Sequence, residues 1–274
     1  MLPNAMLIGA QKCGTESVYR MLSDHPQIGL SRIKEPHFFD RDENYLKGWE
    51  WYEGLFEESA GKICFIEATP HYYRSRFAAE RIVKKLPDIK LMLILRDPAD
   101  RAYSNYWFNV GRGAEQQPFE EIIRTEQGRE RYITKGFYMD HIEMYLSMFD
   151  RDQLKVCLLD DIRKDSKQFM CEVFAFLQLE TELKIEKRHS NLTAIPSNQF
   201  SRFCINFYSN VSQLIPQRVR NSLVPLKKLY RNRFMQHGYP PISKETRSFL
   251  VDMFRDRNIA LGEFIGRDLS AWNE

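Results

Sequence analysis

Short apolar runs, each cut off by a turn former and most followed by residues at helical spacing, constrain this chain more than any other feature. The first run, Ala5-Met6-Leu7-Ile8, stops at Gly9 and the glycine-containing stretch to Gly14. From Ser17 to Leu22 the apolar residues Val18, Met21 and Leu22 share one helical face, which Asp24-His25-Pro26 ends. Ile63 to Ile66 is a second run, stopped by Glu67-Ala68-Thr69-Pro70, and Ile89 to Leu95 a third, stopped by Arg96-Asp97-Pro98. Between them Arg76 to Leu86 carries Phe77, Ile82, Val83 and Leu86 at helical spacing, and His141–Phe149, Leu154–Leu159 and Phe169–Leu177 continue as helix, strand and helix. Ser243 stands as an N-cap before a last helical pattern that reaches Leu261. Largely apolar strands alternating with helices are those of a parallel sheet covered on both faces. The expected fold class is therefore α/β, with a central, mainly parallel sheet flanked by helices in a single domain over residues 1–274. Within it, residues 189–239 read as irregular helix and loop, because Pro196, Pro216 and Pro225 alternate there with basic clusters such as Lys227-Lys228.

Charge excludes some partners. Forty Lys+Arg against 37 Asp+Glu leave a net charge of +3, too balanced for general attraction to nucleic acid or a membrane surface. An anionic ligand must be caught by a local cluster. The five cysteines, at 13, 64, 157, 171 and 204, form no CxxC pair and no zinc spacing, and read as free thiols. No basic segment followed by an apolar stretch opens the chain, and no run reaches the roughly 20 apolar residues of a membrane span. The expected location is cytoplasmic. No heptad pattern marks an interface, so the oligomeric state stays open.

The segment Gly9-Ala10-Gln11-Lys12-Cys13-Gly14-Thr15-Glu16-Ser17 joins the first strand to the first helix. Backbone N–H groups and the positive end of the helix dipole converge at such a turn and favour phosphate. Lys12 adds a full charge, and Thr15 and Ser17 add hydroxyls. The lysine precedes the glycine, so the loop lacks the GK[ST] of nucleoside triphosphatases.

This loop resembles the 5′-phosphosulfate loop of sulfotransferases that use 3′-phosphoadenosine 5′-phosphosulfate (PAPS), in particular the carbohydrate, heparan-sulfate and bacterial branch. That family pairs the loop with an apolar strand ending in Arg-Asp-Pro and a serine eight residues after the arginine, as in Leu91 to Ser104 here. The resemblance is sharp over residues 3–22, 32–40, 66–73, 91–106 and 239–272. It implies a fold like that of the P-loop nucleotide-binding proteins and a donor site formed by Lys12, Cys13, Gly14, Thr15, Glu16, Ser17, Arg96 and Ser104. Arg96 would offer a charged fork to the 3′-phosphate and Ser104 a hydroxyl to the same group.

Transfer of a sulfuryl group needs a base for the acceptor's proton and positive charge beside the departing oxygen. Lys12 is assigned the second task. Ser31 to Asp40 is similar to the family's K-E-x-x-F-F element, which implies Glu35 as catalytic base, His37 as its aid and Lys34 as a contact to phosphosulfate or acceptor. Glu67-Ala68-Thr69-Pro70-His71-Tyr72 is similar to the E-x-[ST]-P-x-Y segment bordering the acceptor cleft, which implies Glu67 and Tyr72 as substrate contacts, with Tyr138 on a later helix. Arg188-His189-Ser190-Asn191 would approach the adenine. No cluster of carboxylates and histidines has ligand spacing in the sequence, so no metal is expected.

Two residues depart from the pattern. Ala68 replaces the lysine of heparan-sulfate members, and Glu16 stands where a small hydroxyl residue is commoner and is expected to point outward. The acceptor is expected to be a carbohydrate or glycoconjugate, with lipid, polyketide and small aromatic acceptors left open. Exposed Trp49, Trp51, Tyr52, Tyr72, Tyr73, Tyr106 or Trp107 would stack on it. The alternatives are a kinase-like phosphotransferase and a nucleotide-binding protein that has lost catalysis.

Overall fold

The structure is a computed structural model and describes residues 1–59, 61–181, 194–196 and 235–274. In chain order its elements are β1 (Ala5–Gly9), α1 (Thr15–Ser23), β2 (Ile28–Leu30), α2 (Asp42–Tyr45), α3 (Gly48–Glu53), β3 (Cys64–Ala68), α4 (Arg76–Lys85) and β4 (Lys90–Leu95). They continue with α5 (Pro98–Val110), α6 (Phe119–Ile122), α7 (Glu126–Gly128), α8 (Tyr138–Leu146), β5 (Leu154–Leu158), α9 (Leu159–Lys164) and α10 (Ser166–Leu177). The last are β6 (Ala194–Pro196), β7 (Met235–His237) and α11 (Lys244–Ile265).

The chain divides into two compact units, residues 1–98, 137–190 and 256–271 in the first and 99–136, 191–255 and 272–274 in the second. The first unit holds a five-stranded sheet in the order β2-β3-β1-β4-β5, and every pairing in it is parallel. Ala5 of β1 stands opposite Ile66 on one side and Lys90 on the other. All five residues of β1 are buried, as a central strand with helices on both faces demands. Because β2 and β3 extend the sheet on one side of β1 and β4 and β5 on the other, the strand order reverses at the β1/β4 boundary. The crevice beyond the carboxyl ends of strands at such a reversal is where open α/β sheets bind ligands.

Sequence and structure differ instructively at β3. The sequence places a stop at Glu67-Ala68, yet both residues belong to the strand and are 0 and 1% exposed. A carboxylate is tolerated there because its oxygens accept hydrogen bonds from the Thr69 and Tyr52 hydroxyls, as a buried charge requires. Three-residue β2, paired to β3 through Ile28 and Cys64, is too short for periodicity to mark.

In the second unit, the side chain of Arg101 is fully buried and donates to the Tyr132 carbonyl. Buried Glu115 accepts from Tyr132 Oη at 2.9 Å and Arg131 Nη1 at 3.2 Å. Gly128 packs so closely that a Cβ would fall 1.7 Å from the Ile122 carbonyl oxygen. Ser243 does cap α11, its Oγ accepting from the Thr246 N–H at 3.2 Å. Of the segment 189–239, only the antiparallel pair β6–β7 and residues 238–239 are described. Among the described residues Cys13, Cys64, Cys157 and Cys171 are free, and no helix is long and apolar enough to cross a membrane.

Candidate active site

The turn after β1 is built around two left-handed residues. Ala10 N–H still reaches the β4 carbonyl of Ile94 at 2.8 Å, and Cys13 N–H closes back on Ala10 O at 3.1 Å. Lys12 then takes φ 72° and Gly14 φ 86°. Gly14 is the N-cap of α1 without a side-chain cap, and its carbonyl accepts from the amides of Ser17 and Val18. The N–H groups of Thr15 and Glu16 thus have no partner inside the helix. Only glycine suits position 14, since a Cβ would lie 2.6 Å from Leu159 Cδ1 on a backbone already left-handed.

Arg96 follows β4 directly. Burial and the nearby charge of Arg96 push the Lys12 ammonium down to about 8 from its ordinary 10.5. Two nearby cations, on segments that follow β1 and β4, have the charge to attract an anion. Tyr138 locks this arrangement, because its hydroxyl donates to the Arg96 carbonyl at 2.9 Å and lies 3.6 Å from Cys13 Sγ. At 1% exposure Tyr138 links the two segments. Glu16 does point outward, ion-paired with Arg20 at 2.9 Å and with Lys34. Ser104 is buried on α5 in the second unit, and its pairing with Arg96 remains an assignment from resemblance.

The loop after β2 runs on beside β3, with Ser31 N–H bonded to Ile66 O and Glu35 N–H to Ala68 O, both at 3.1 Å. Glu35 (φ 55°) and His37 (φ 51°) are left-handed, a conformation that costs a non-glycine residue roughly 1–2 kcal/mol. Among the described residues only Lys12, Glu35, His37 and Gln178 do this without being glycine, and Gln178 is the C-cap of α10. Such strain persists where surrounding packing imposes it and gathers at functional sites. The packing here is aromatic. Phe38 and Phe39 are 1 and 0% exposed, and Phe38 stacks on Tyr52 at 4.3 Å between centroids.

His37 Nδ1 lies 3.0 and 3.1 Å from the two Asp40 oxygens, and its ring is 5.0 Å from that of His71. Glu35, His37 and His71 each offer a ligand atom within 4.8 Å of the others. This corrects the expectation that no such cluster exists. Sequence spacing conceals it because two left-handed turns fold one loop back onto the end of β3.

Glu67 and Tyr72, assigned to the acceptor cleft by resemblance, are 0% exposed. Burial raises the Glu67 carboxyl, opposed by hydrogen bonds from Thr69, Tyr52 and Tyr72. The Tyr72 hydroxyl accepts the Phe39 N–H at 3.2 Å, and the Tyr72 carbonyl accepts from Tyr145 Oη at 2.8 Å. Tyr52, Tyr73 and Tyr106 are also buried, so they present no free face to a sugar. A cavity of about 320 Å³ opens beside the loop, lined by Asp40, His71, Arg74, Ser75, Arg76 and Phe77.

Residues 2–225 match the model of the sulfotransferase domain. The chain belongs to the sulfotransferase family. It is 30% identical over 294 residues to bifunctional heparan sulfate N-deacetylase/N-sulfotransferase 4 of Mus musculus, covering 99% of this chain and 31% of that protein. Heparan sulfate glucosamine 3-O-sulfotransferase 5 of Mus musculus is 32% identical over 217 residues, which cover 75% of this chain and 60% of that protein. The chain therefore spans less than two thirds of the length of these curated relatives. A sulfotransferase from Alicyclobacillus acidocaldarius, known from its crystal structure, superposes with a TM-score of 0.74 at 26% identity, covering both chains completely.

In this sulfotransferase the structure brings Lys12 and Arg96 together, and separately groups Lys34 with Glu16 and Glu35. Asp40 and His71 are the site residues that sequence reasoning passed over. His71 sits in the quoted E-x-[ST]-P-x-Y segment at its variable position, and Asp40 follows the two phenylalanines of the other element, so both were in view without a stated chemistry. Arg188, His189, Ser190 and Asn191 lie outside the described residues.

Proposed function

We propose that this chain transfers a sulfuryl group from PAPS to a hydroxyl or amine of a carbohydrate. The observation that carries the reading is the convergence of Lys12, Arg96 and the first-turn amides of α1 beyond the carboxyl ends of β1 and β4. Lys12 and the amides of Thr15 and Glu16 hold the 5′-phosphosulfate, and Arg96 holds the 3′-phosphate. PAPS supplies the sulfuryl group. Glu35 accepts the proton of the attacking hydroxyl or amine, while Lys12 neutralises charge on the oxygen that leaves with the nucleotide. His37, oriented by Asp40, steadies the acceptor beside Glu35. The reaction needs no metal, because cations and backbone dipoles do the neutralising.

The acceptor enters through the cavity beside His71. Its size falls within the range of small-molecule sites, Phe77 is 72% exposed as a flat platform, and Arg74 and Arg76 suit an anionic sugar. Those arginines supply at another position the charge absent at Ala68. Both relatives named above carry heparan sulfate in their names, which agrees with a glycan acceptor. A cytoplasmic location suits the free thiols.

The test is calorimetric titration with adenosine 3′,5′-bisphosphate, with 5′-AMP and ATP–Mg²⁺ as controls, followed by labelled PAPS with candidate glycans. Binding of the bisphosphate at least tenfold tighter than 5′-AMP is expected, a difference of about 1.4 kcal/mol. Preference for ATP–Mg²⁺, or binding of neither nucleotide, would overturn the reading.

A further inference from the structure

Glu35, His37 and His71 make a set of ligands that sulfuryl transfer does not require as a set. We propose that these three side chains bind one divalent transition metal of the zinc class, and that the bound ion inhibits transfer by withdrawing Glu35 from proton acceptance. The binding stands on geometry alone, whereas the inhibition rests on the reading of Glu35 as base.

The donor atoms lie within 4.8 Å of one another. Tetrahedral zinc ligands at about 2.0–2.2 Å from the ion stand roughly 3.3–3.6 Å apart, so side-chain rotations of about 1 Å close the set. Two imidazoles and a carboxylate are a ligand set zinc accepts with a fourth position open, and imidazole favours zinc, cobalt, nickel and copper over magnesium and calcium.

The surroundings of His37 point the same way. Its Nδ1 faces the Asp40 carboxylate, so Nδ1–H donates there and the lone pair falls on Nε2. A carboxylate behind a histidine is the arrangement that fixes the tautomer of metal-binding imidazoles and raises their basicity. The loop is also held before any ion arrives. Asn44 Nδ2 donates to the carbonyls of Pro36 and His37 at 2.9 and 3.3 Å, and the buried rings of Phe38 and Phe39 anchor the following turn. The cavity lined by Asp40 and His71 gives the ion a path. Lys34, 3.8 Å from Glu35 Oε1, does not have to be left without a counter-charge when the ion binds, because Glu16 is its nearer partner.

The experiment titrates the whole chain with Zn²⁺ by calorimetry and with Co²⁺ by absorption, using Mg²⁺ as control and comparing His71→Ala and Asp40→Asn. Expected are one zinc per chain, visible Co²⁺ bands of four-coordinate intensity, and a loss of at least about tenfold in Zn²⁺ affinity in both variants. Adenosine 3′,5′-bisphosphate affinity, set by Lys12 and Arg96, reports that each variant is folded. Zinc affinity unchanged in a folded His71→Ala, or no zinc binding to the wild type at about 100 μM, a free energy near −5.5 kcal/mol, would overturn the site. In transfer assays Zn²⁺ should inhibit the wild type, and a chelator should leave it active. His71→Ala should need at least about tenfold more Zn²⁺ for half-inhibition of its own metal-free rate. A zinc-loaded wild type that still transfers at full rate would overturn the inhibition and leave the site. A protein that binds zinc through His71 but never transfers sulfuryl groups would instead sink the proposed function.

Discussion

Lys34, on the loop after β2, is ion-paired with Glu16 on the first turn of α1. The pair ties the loop that carries Glu35 to the helix whose amides face the anion site. It also places a carboxylate near a dianion, which opposes donor binding through space. Glu16→Gln is therefore expected to tighten adenosine 3′,5′-bisphosphate by about 2–5-fold at low ionic strength, the range of one partly exposed charge, with the gain fading in salt. Titration at two salt concentrations checks this. Weaker binding in the variant would mean that the ion pair orders the loop more than its charge repels the ligand.

Lys12 makes donor binding depend on pH. Its folded pKa is lowered to about 8, so the ligand-free protein loses this proton as pH rises through 8. A neighbouring dianion favours the charged form, so association near pH 8 takes up a proton. Affinity is fully present below pH 8 and falls above it, by up to about tenfold per pH unit. Calorimetry at about pH 7, 8 and 9 in buffers of different ionisation heat reads both the affinity and the proton. A flat profile would remove Lys12 from contact with the nucleotide.

The elements that read clearly from the sequence are those whose signal is local. Ala5 to Ile8 is apolar on every side because β1 is the central strand, and Lys12 and Gly14 occupy the only connection in which β1 meets α1. What stayed hidden depends on contacts across the chain. Glu67 reads as a strand stop until Tyr52, from α3, is seen to bond its carboxylate. His71 comes near His37 because Glu35 and His37 adopt a backbone conformation their residue types do not announce. Tyr138 shows the converse, since its position was marked but its link to the Arg96 carbonyl is seen only in the fold.

Gly14→Ala tests the turn itself. Alanine at φ 86° costs about 1–2 kcal/mol, and its Cβ would press on Leu159 at 2.6 Å. Thermal unfolding should fall by several degrees, and bisphosphate affinity by tenfold or more as the first-turn amides are displaced. A folded variant with undiminished affinity would show that these amides do not carry the phosphate.

Two carboxylates close in sequence to the site differ in what holds them, and substitution by glutamine separates their roles. Glu35 is about a third exposed on a loop where its own φ is left-handed, and Lys34 lies 3.8 Å from its carboxylate. Glu35→Gln should keep the thermal midpoint and donor affinity and lower turnover by about 10²–10⁴, the loss of a general base. Glu67 is fully buried, with Tyr52 and Thr69 hydroxyls donating to its two oxygens. Glutamine there turns an amide NH₂ toward one of those hydroxyls, which must reverse its own hydrogen bond or go unpaired, at a cost of about 1–3 kcal/mol. Glu67→Gln should therefore shift the denaturant midpoint downward while donor affinity, set on the other side of β1 by Arg96 and on the loop by Lys12, is kept. Turnover that collapses in Glu67→Gln with stability unchanged would exchange the two assignments, because it would place the proton acceptor inside the core and leave Glu35 as a surface charge.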